Sequence, residues 1–323
     1  MSKDIILSTD NLKKHFKIKG GKIVKAVDGV SIEVERGKTL GLVGESGCGK
    51  STLGRTLIRI YDPTEGTITL NGTDISGKST RKFRQQLATS IQMIFQDPYA
   101  SLNPRMTVSQ IISEGWDLNR EIHMTPEEKK EKVLELLRTV GLNEEHASRF
   151  PHEFSGGQRQ RIGIARALSM EPEMIICDEA ISALDVSIQA QVMNLLLKLQ
   201  QERNLSYVFI AHDLSMVRYI SDTVAVMYLG SIVEYATNKE LYENPQHPYT
   251  KALFSAIPVA DPDVEKNKSR IKLEGEIPSP INAPKGCKFC TRCSQAKPIC
   301  FETAPELKEI APGHKVACHL MNE

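Results

Sequence analysis

The chain has 323 residues, enough for about two compact units, and carries 41 Lys+Arg against 40 Asp+Glu. That balance argues against a basic nucleic-acid coat and against an acidic tail protein. With 40% hydrophobic and 25% charged residues it has an ample core, which excludes disorder over most of its length.

No segment approaches the roughly 20 uninterrupted apolar residues of a membrane span. The N-terminal run Ile5-Ile6-Leu7 is too brief for a signal peptide, so a cytoplasmic location is expected. Seven cysteines are present, and five of them fall between Cys287 and Cys318. In a reducing compartment such clustering reads as metal binding before disulfides.

The first predicted central strand is Thr39-Leu40-Gly41-Leu42-Val43, a short apolar run of the kind buried on both faces of a sheet. It leads directly into Gly44-Glu45-Ser46-Gly47-Cys48-Gly49-Lys50-Ser51-Thr52, and a helical pattern with Leu53, Leu57 and Ile60 follows. Strand, glycine-rich loop and helix in this order form a phosphate-binding motif. Glycines let successive backbone N–H groups turn inward on phosphate oxygens, and the helix start adds its positive dipole end. Lys50 can neutralise the outer phosphates, and the Ser51 hydroxyl can ligate Mg²⁺.

A second strand is predicted at Ser90–Phe95, followed by a mostly helical insert. Within the insert Thr125 can cap a helix, Pro126 suits its first turn and Glu128 completes a capping box, with Val133, Leu136, Leu137 and Val140 forming one buried stripe. The charged run Glu127–Lys132 reads as a solvated helix face. Phe154-Ser155-Gly156-Gly157-Gln158 then opens another helix with a second glycine-rich turn, which points to a second phosphate contact.

The third strand, Glu173-Met174-Ile175-Ile176-Cys177, ends in two adjacent carboxylates, Asp178 and Glu179. Asp178 is placed to hold Mg²⁺ and Glu179 to act as general base on an attacking water. Cys48 and Cys177 read as small packing residues. A fourth strand is predicted at Ser206–Ala211. The alternation of strands and helices defines an α/β fold.

After about residue 257 the texture changes, with Pro258, Pro262, Pro278, Pro280 and Pro284 in a polar stretch. It reads as a linker into a small loop-rich unit that lacks a hydrophobic core. The expected organisation is a cassette over 1–257, with its helical insert at about 100–170, and an extension over 258–323.

On the run Ser155-Gly156-Gly157-Gln158 the sequence resembles the ATP-binding cassette family, whose signature reads SGGQ. The other family positions follow in order: Gln96 at the Q-loop, Asp185 in Ser182-Ala183-Leu184-Asp185 at the D-loop, and His212 at the switch histidine. Phe16 stands where the family stacks an aromatic on adenine, and Ala180 stands where it more often has Pro. The resemblance implies a P-loop (RecA-like) ATPase core with an antiparallel β-subdomain and an inserted α-helical subdomain. It also implies Mg²⁺ held through Ser51, Gln96 and Asp178, with catalysis by Glu179, His212 and Gln96. Two such domains pair head to tail, so that Ser155 to Gln158 of one face the ATP held on Lys50 of the other.

Three further segments, Phe95–Pro104, Asp185–Val192 and Asn244–Leu253, resemble the ATPases of bacterial peptide importers, closest to the second ATPase of the oligopeptide system. That branch implies a homologous partner ATPase, two transmembrane permease subunits, an external peptide-binding protein and a peripheral position on the cytoplasmic face of the membrane, with no nucleic-acid partner. Dipeptide and nickel importers look alike at these motifs. The resemblance associates the tail with a [4Fe-4S] cluster on Cys287, Cys293, Cys300 and Cys318, leaving Cys290 over.

The alternatives are zinc, with His314 or His319 as a substitute ligand, and a metal-free reduced tail or disulfides. Other readings are a soluble cassette ATPase acting on ribosomes or DNA, and an iron–sulfur redox sensor. A single cassette, no long coiled-coil insertion and no basic excess oppose the first. The hydrolytic pair Glu179 and His212 opposes the second.

Overall fold

The computed structural model describes residues 4–77, 80–257 and 271–321. Pro258 and Pro262 of the expected linker lie outside the described residues. The chain divides into two compact units, one made of Met1–Glu35, Thr39–Ser76 and Ile210–Glu323, the other of Arg36–Lys38 and Gly77–Phe209.

The first unit begins with an antiparallel sheet built on β1 (Ile5–Lys17), which is flanked by β2 (Ile23–Val30) and β3 (Glu33–Glu35) on one side and by β5 (Glu65–Leu70) on the other. The hairpin strand β6 (Thr73–Asp74) completes it. Ile6, Leu7, Leu12, Val27, Val30 and Ile68 are fully buried. At β4 (Thr39–Val43) every residue is buried, as the unbroken apolar run predicts. It pairs in parallel with β10 (Thr223–Tyr228), Val43 opposite Val226. β11 (Ser231–Thr237) continues this sheet antiparallel, and β13 (His314–Val316) and β12 (Lys308–Ala311), both from the extension, add to its far side. The helices of this unit are α1 (Lys50–Leu57), α7 (Leu214–Ile220), α8 (Asn238–Glu243), α9 (Pro248–Ser255) and the short α10 (Ile299–Glu302).

The second unit carries β7 (Ile91–Ile94) in parallel with β8 (Met174–Asp178), followed by β9 (Ser206–Ile210). β8 and β9 are buried throughout. α2 (Arg81–Ser90) leads into β7, and α6 (Val186–Arg203) lies between β8 and β9 in the chain. The predicted insert is three helices, α3 (Val108–Leu118), α4 (Pro126–Thr139) and α5 (Gly156–Ser169).

α4 starts as its sequence dictates. Thr125 Oγ1 accepts from Glu128 N at 3.2 Å, and the Glu128 carboxylate accepts from Thr125 N at 2.7 Å. Val133, Leu136, Leu137 and Val140 are all buried. α3 and α5 are joined where buried Trp116 donates its indole N–H to Ser169 O at 2.8 Å.

Candidate phosphate-binding and catalytic residues

In the first unit the loop after β4 wraps around a lysine. Lys50, only 4% exposed, opens α1, and its Nζ donates to Gly44 O at 2.8 Å and to Glu45 O at 3.1 Å. The helix start carries no side-chain cap, which leaves its first N–H groups facing the loop. Gly49 sits at φ 110°, and a Cβ there would lie 2.0 Å from Ala26 O, so only glycine fits. Ser51 and Thr52 are half-buried on the first turn, while Ser46 and Gly47 are exposed at the loop tip.

Burial raises the Cys48 thiol, and burial holds Cys177 up at about 12, in keeping with packing roles for both. Phe16 meets Tyr61 edge to face at 5.3 Å, and Lys14 Nζ lies 4.9 Å from the Phe16 ring centroid. His212 is exposed just after β9.

In the second unit the end of β8 presents the two carboxylates. Asp178 is fully buried, and Glu179 is 6% exposed with a left-handed backbone, φ 49°. A non-glycine residue in that region is strained by about 1–3 kcal/mol and persists only where its surroundings hold it. Those surroundings are visible: Ser182 N and Oγ both donate to Glu179 O, at 3.1 and 3.0 Å, and Gln96 Nε2 donates to Glu179 Oε2 at 2.6 Å. The fold therefore brings together Gln96 and Glu179, 83 residues apart in sequence.

Signature residues Ser155, Gly156, Gly157 and Gln158 form the start of α5. Ser155 Oγ accepts from Gln158 N at 3.4 Å, and Gln158 Oε1 accepts from Ser155 N at 3.0 Å. Asp185 caps α6, its carboxylate held below the ordinary range by hydrogen bonds from Ser187 Oγ and Ile188 N.

The cysteine-rich extension requires a correction. Among the described residues no group of three or more His, Cys, Asp or Glu side chains is disposed to hold a metal ion. The [4Fe-4S] site expected on Cys287, Cys293, Cys300 and Cys318 is therefore not supported. Of the two histidines offered as substitute zinc ligands, His314 Nε2 is 2.8 Å from Glu234 Oε1 and His319 Nε2 is 2.9 Å from Thr303 O.

Packing and hydrogen bonds within the segment are visible. Phe289 is 2% exposed among Tyr228, Tyr249 and His247. Cys287 N donates to Cys300 O, and Gly286 approaches the Cys300 backbone so closely that a Cβ would lie 2.3 Å from that oxygen. Lys288 Nζ donates to Asp28 Oδ2 at 3.0 Å, Leu229 O and Ser231 Oγ.

Two residues that sequence reasoning passed over touch the phosphate loop. The hydroxyl of fully buried Tyr249 accepts from Glu45 N at 2.8 Å. Arg292 makes a two-pronged contact with the Glu45 carboxylate, Nη1 to Oε2 at 2.7 Å and Nη2 to Oε1 at 3.0 Å. Tyr249 lies in a segment singled out only as a family likeness. Nothing local marks Arg292 beyond its place between Cys290 and Cys293.

A family model described as "ABC transporter" matches residues 27–182, and one described as "Oligopeptide/dipeptide transporter, C-terminal region" matches 233–300. The oligopeptide transport ATP-binding protein AppF of Bacillus subtilis is 58% identical over 99% of this chain and 98% of its own length. OppF of Escherichia coli, which carries the same description, is 53% identical over 97% of this chain and 96% of its own. The dipeptide transport protein DppF of Escherichia coli is 50% identical over 98% and 95%.

Among solved structures, a dimeric ATP-binding cassette in a post-hydrolysis state with ADP and Pi aligns at TM-score 0.66 and 27% identity, covering 72% of this chain and 98% of that one. CbiO1 of Clostridium perfringens, part of an ABC transporter complex, aligns at 0.65 and 30%, covering 75% and 92%.

Proposed function

The chain belongs to the ABC transporter family, in its oligopeptide/dipeptide importer branch, and on that premise we propose that it is the ATP-hydrolysing subunit that powers bacterial oligopeptide uptake. The observation that carries the proposal is the strained, buried Glu179 with its carboxylate held by Gln96 at 2.6 Å. That is what a general base needs: a carboxylate in one orientation at the end of a rigid strand.

In this reading Glu179 accepts the proton of the attacking water, and Lys50 and the amides of Gly44 and of Ser46 to Thr52 take up phosphate charge. His212 contacts the γ-phosphate and Phe16 stacks on the base. The donor set Ser51 hydroxyl, Gln96 amide and Asp178 carboxylate is all oxygen, as Mg²⁺ requires, and the full burial of Asp178 is consistent with a site that shields a hard cation. Mg²⁺ when bound supplies charge neutralisation of the phosphates.

Ser155 to Gln158 and Asp185 serve the partner ATPase's nucleotide in a head-to-tail pair. We take residues 1–257 as the cassette and 258–323 as the extension, and the extension's cysteines have no assigned part. The partners are a homologous ATPase, two permease subunits and an external peptide-binding protein. No helix among the described residues is long and apolar enough to cross a membrane. In this reading the subunit works peripherally, at the cytoplasmic face, against its permease partners. A dipeptide cargo is the second reading, motivated by the 50% identity to a dipeptide transport protein.

The test is Glu179→Gln in the assembled complex. Loss of a general base should lower ATP turnover by about 10²–10⁴-fold while ATP binding persists. Turnover within a factor of about three of the parent protein would remove Glu179 from its role.

A further inference from the structure

The phosphate loop contains a carboxylate that a polyanion should find unwelcome. Glu45 is the second residue of Gly44–Thr52, and its side chain is 23% exposed. An uncompensated negative charge there would oppose the approach of a triphosphate.

The chain answers it from 247 residues away. Arg292 brings both Nη atoms onto the two carboxylate oxygens, the fork geometry in which guanidinium binds carboxylate most strongly and specifically. Its own side chain is 7% exposed, with Nη1 also 3.4 Å from Tyr228 Oη. The turn that carries it is fixed on its N-terminal side, by Lys288 on Asp28 and by Phe289 in the Tyr228, Tyr249 and His247 cluster.

The Glu45 main chain is tied as well. Its N–H donates to Tyr249 Oη, and its carbonyl accepts from Lys50, the residue assigned to the phosphates. One loop residue is therefore held at three points, two of them by residues that follow residue 245. A lysine could not reproduce the two parallel contacts, and a surface ion pair would be screened, but this one is largely withdrawn from water.

We propose that Arg292 of the cysteine-rich extension is a positioning residue for the nucleotide: by clamping and neutralising Glu45 it sets the shape and charge of the phosphate loop. The extension is thereby part of the ATP site's support. This rests on the reading of Gly44–Thr52 as the ATP loop.

The experiment compares MgATP kinetics of the assembled complex carrying the parent chain, Arg292→Ala, Arg292→Lys, Glu45→Gln and the Glu45→Gln/Arg292→Ala pair. Arg292→Ala should raise KM by about tenfold, the factor that corresponds to ~1.4 kcal/mol, with a smaller change in kcat. Arg292→Lys should fall between it and the parent. Glu45→Gln should relieve most of the defect in the double variant, because the charge that needed cancelling is gone.

A merely structural Arg292 would give a reduced active fraction that Glu45→Gln does not relieve. That outcome, or an Arg292→Ala KM within about twofold of the parent, overturns the proposal. Absence of ATP turnover in the parent complex would instead sink the ATPase reading itself, so the two failures are distinguishable.

Discussion

Replacing Phe289 by Ala removes the aromatic anchor of the extension, and the size of the effect follows from where the ring sits. It is 2% exposed, edge-on to Tyr228 at 5.3 Å and tilted against Tyr249 at 5.4 Å and His247 at 5.7 Å. Burying a phenylalanine side chain contributes ~1.5–3 kcal/mol, and the cavity left among three rings that cannot collapse raises the total cost to ~3–5 kcal/mol.

The loss should be felt locally, because the ring belongs to one short turn. Amide exchange at Cys287, whose N–H is bonded to Cys300 O, and at Ala317, bonded to Val233 O, reads that opening directly. Both should speed up by about two to three and a half orders of magnitude in the variant. Phe289→Leu, which refills most of the volume, should lose less than half as much. Wild-type exchange at Cys287 and Ala317 in Phe289→Ala would refute the claim that this ring secures the extension.

Two further outcomes are expected. Burial holds His247 down at about 3, so the folded chain keeps it neutral while the unfolded chain takes up a proton below about 6.5. Its contribution is therefore complete above 6.5 and declines as pH falls toward 3, by up to about 1.4 kcal/mol per pH unit. Chemical denaturation at pH 7 and pH 5 should show this decline, and His247→Gln should flatten it; equal slopes for the two proteins would exclude the assignment.

Trp116 is the single tryptophan of the chain and is 3% exposed, so its emission reports on the α3–α5 contact alone. Trp116→Phe leaves the Ser169 carbonyl without its donor and should cost ~1–3 kcal/mol in unfolding of the insert. A blue-shifted parent emission with no stability change in the variant would show that the hydrogen bond at 2.8 Å contributes nothing.

What could be read directly from sequence was local. The strands β4, β7, β8 and β9 are short apolar runs with no competing pattern, and the Thr125–Glu128 cap depends on four consecutive residues. The first sheet was less legible, since β1 interleaves Lys13, Lys14 and Lys17 with its apolar positions and shifts register twice against β2. The positive φ of Glu179 had no glycine or asparagine to announce it.

The extension shows the same limit. Its order draws on contacts such as Lys288–Asp28, 260 residues apart, and on strands that complete a sheet begun elsewhere. Such pairings leave no periodic trace.

That last arrangement has a bearing on how the cassette can be handled. β11 is seven residues long and almost wholly buried, and β13 occupies its outer side, with Glu234 opposite Val316 and Tyr235 opposite Lys315. Remove the extension and Ile232, Val233 and Tyr235 lie along a bare strand edge whose unpaired amides and carbonyls invite a second chain to add on. The outermost strand that nature presents instead, β12, is four residues long, fully exposed and carries Lys308 and Glu309, features that discourage edge-to-edge association. A truncated cassette would trade this guarded border for a sticky one, so self-association on shortening the chain would reflect a lost chaperoning strand.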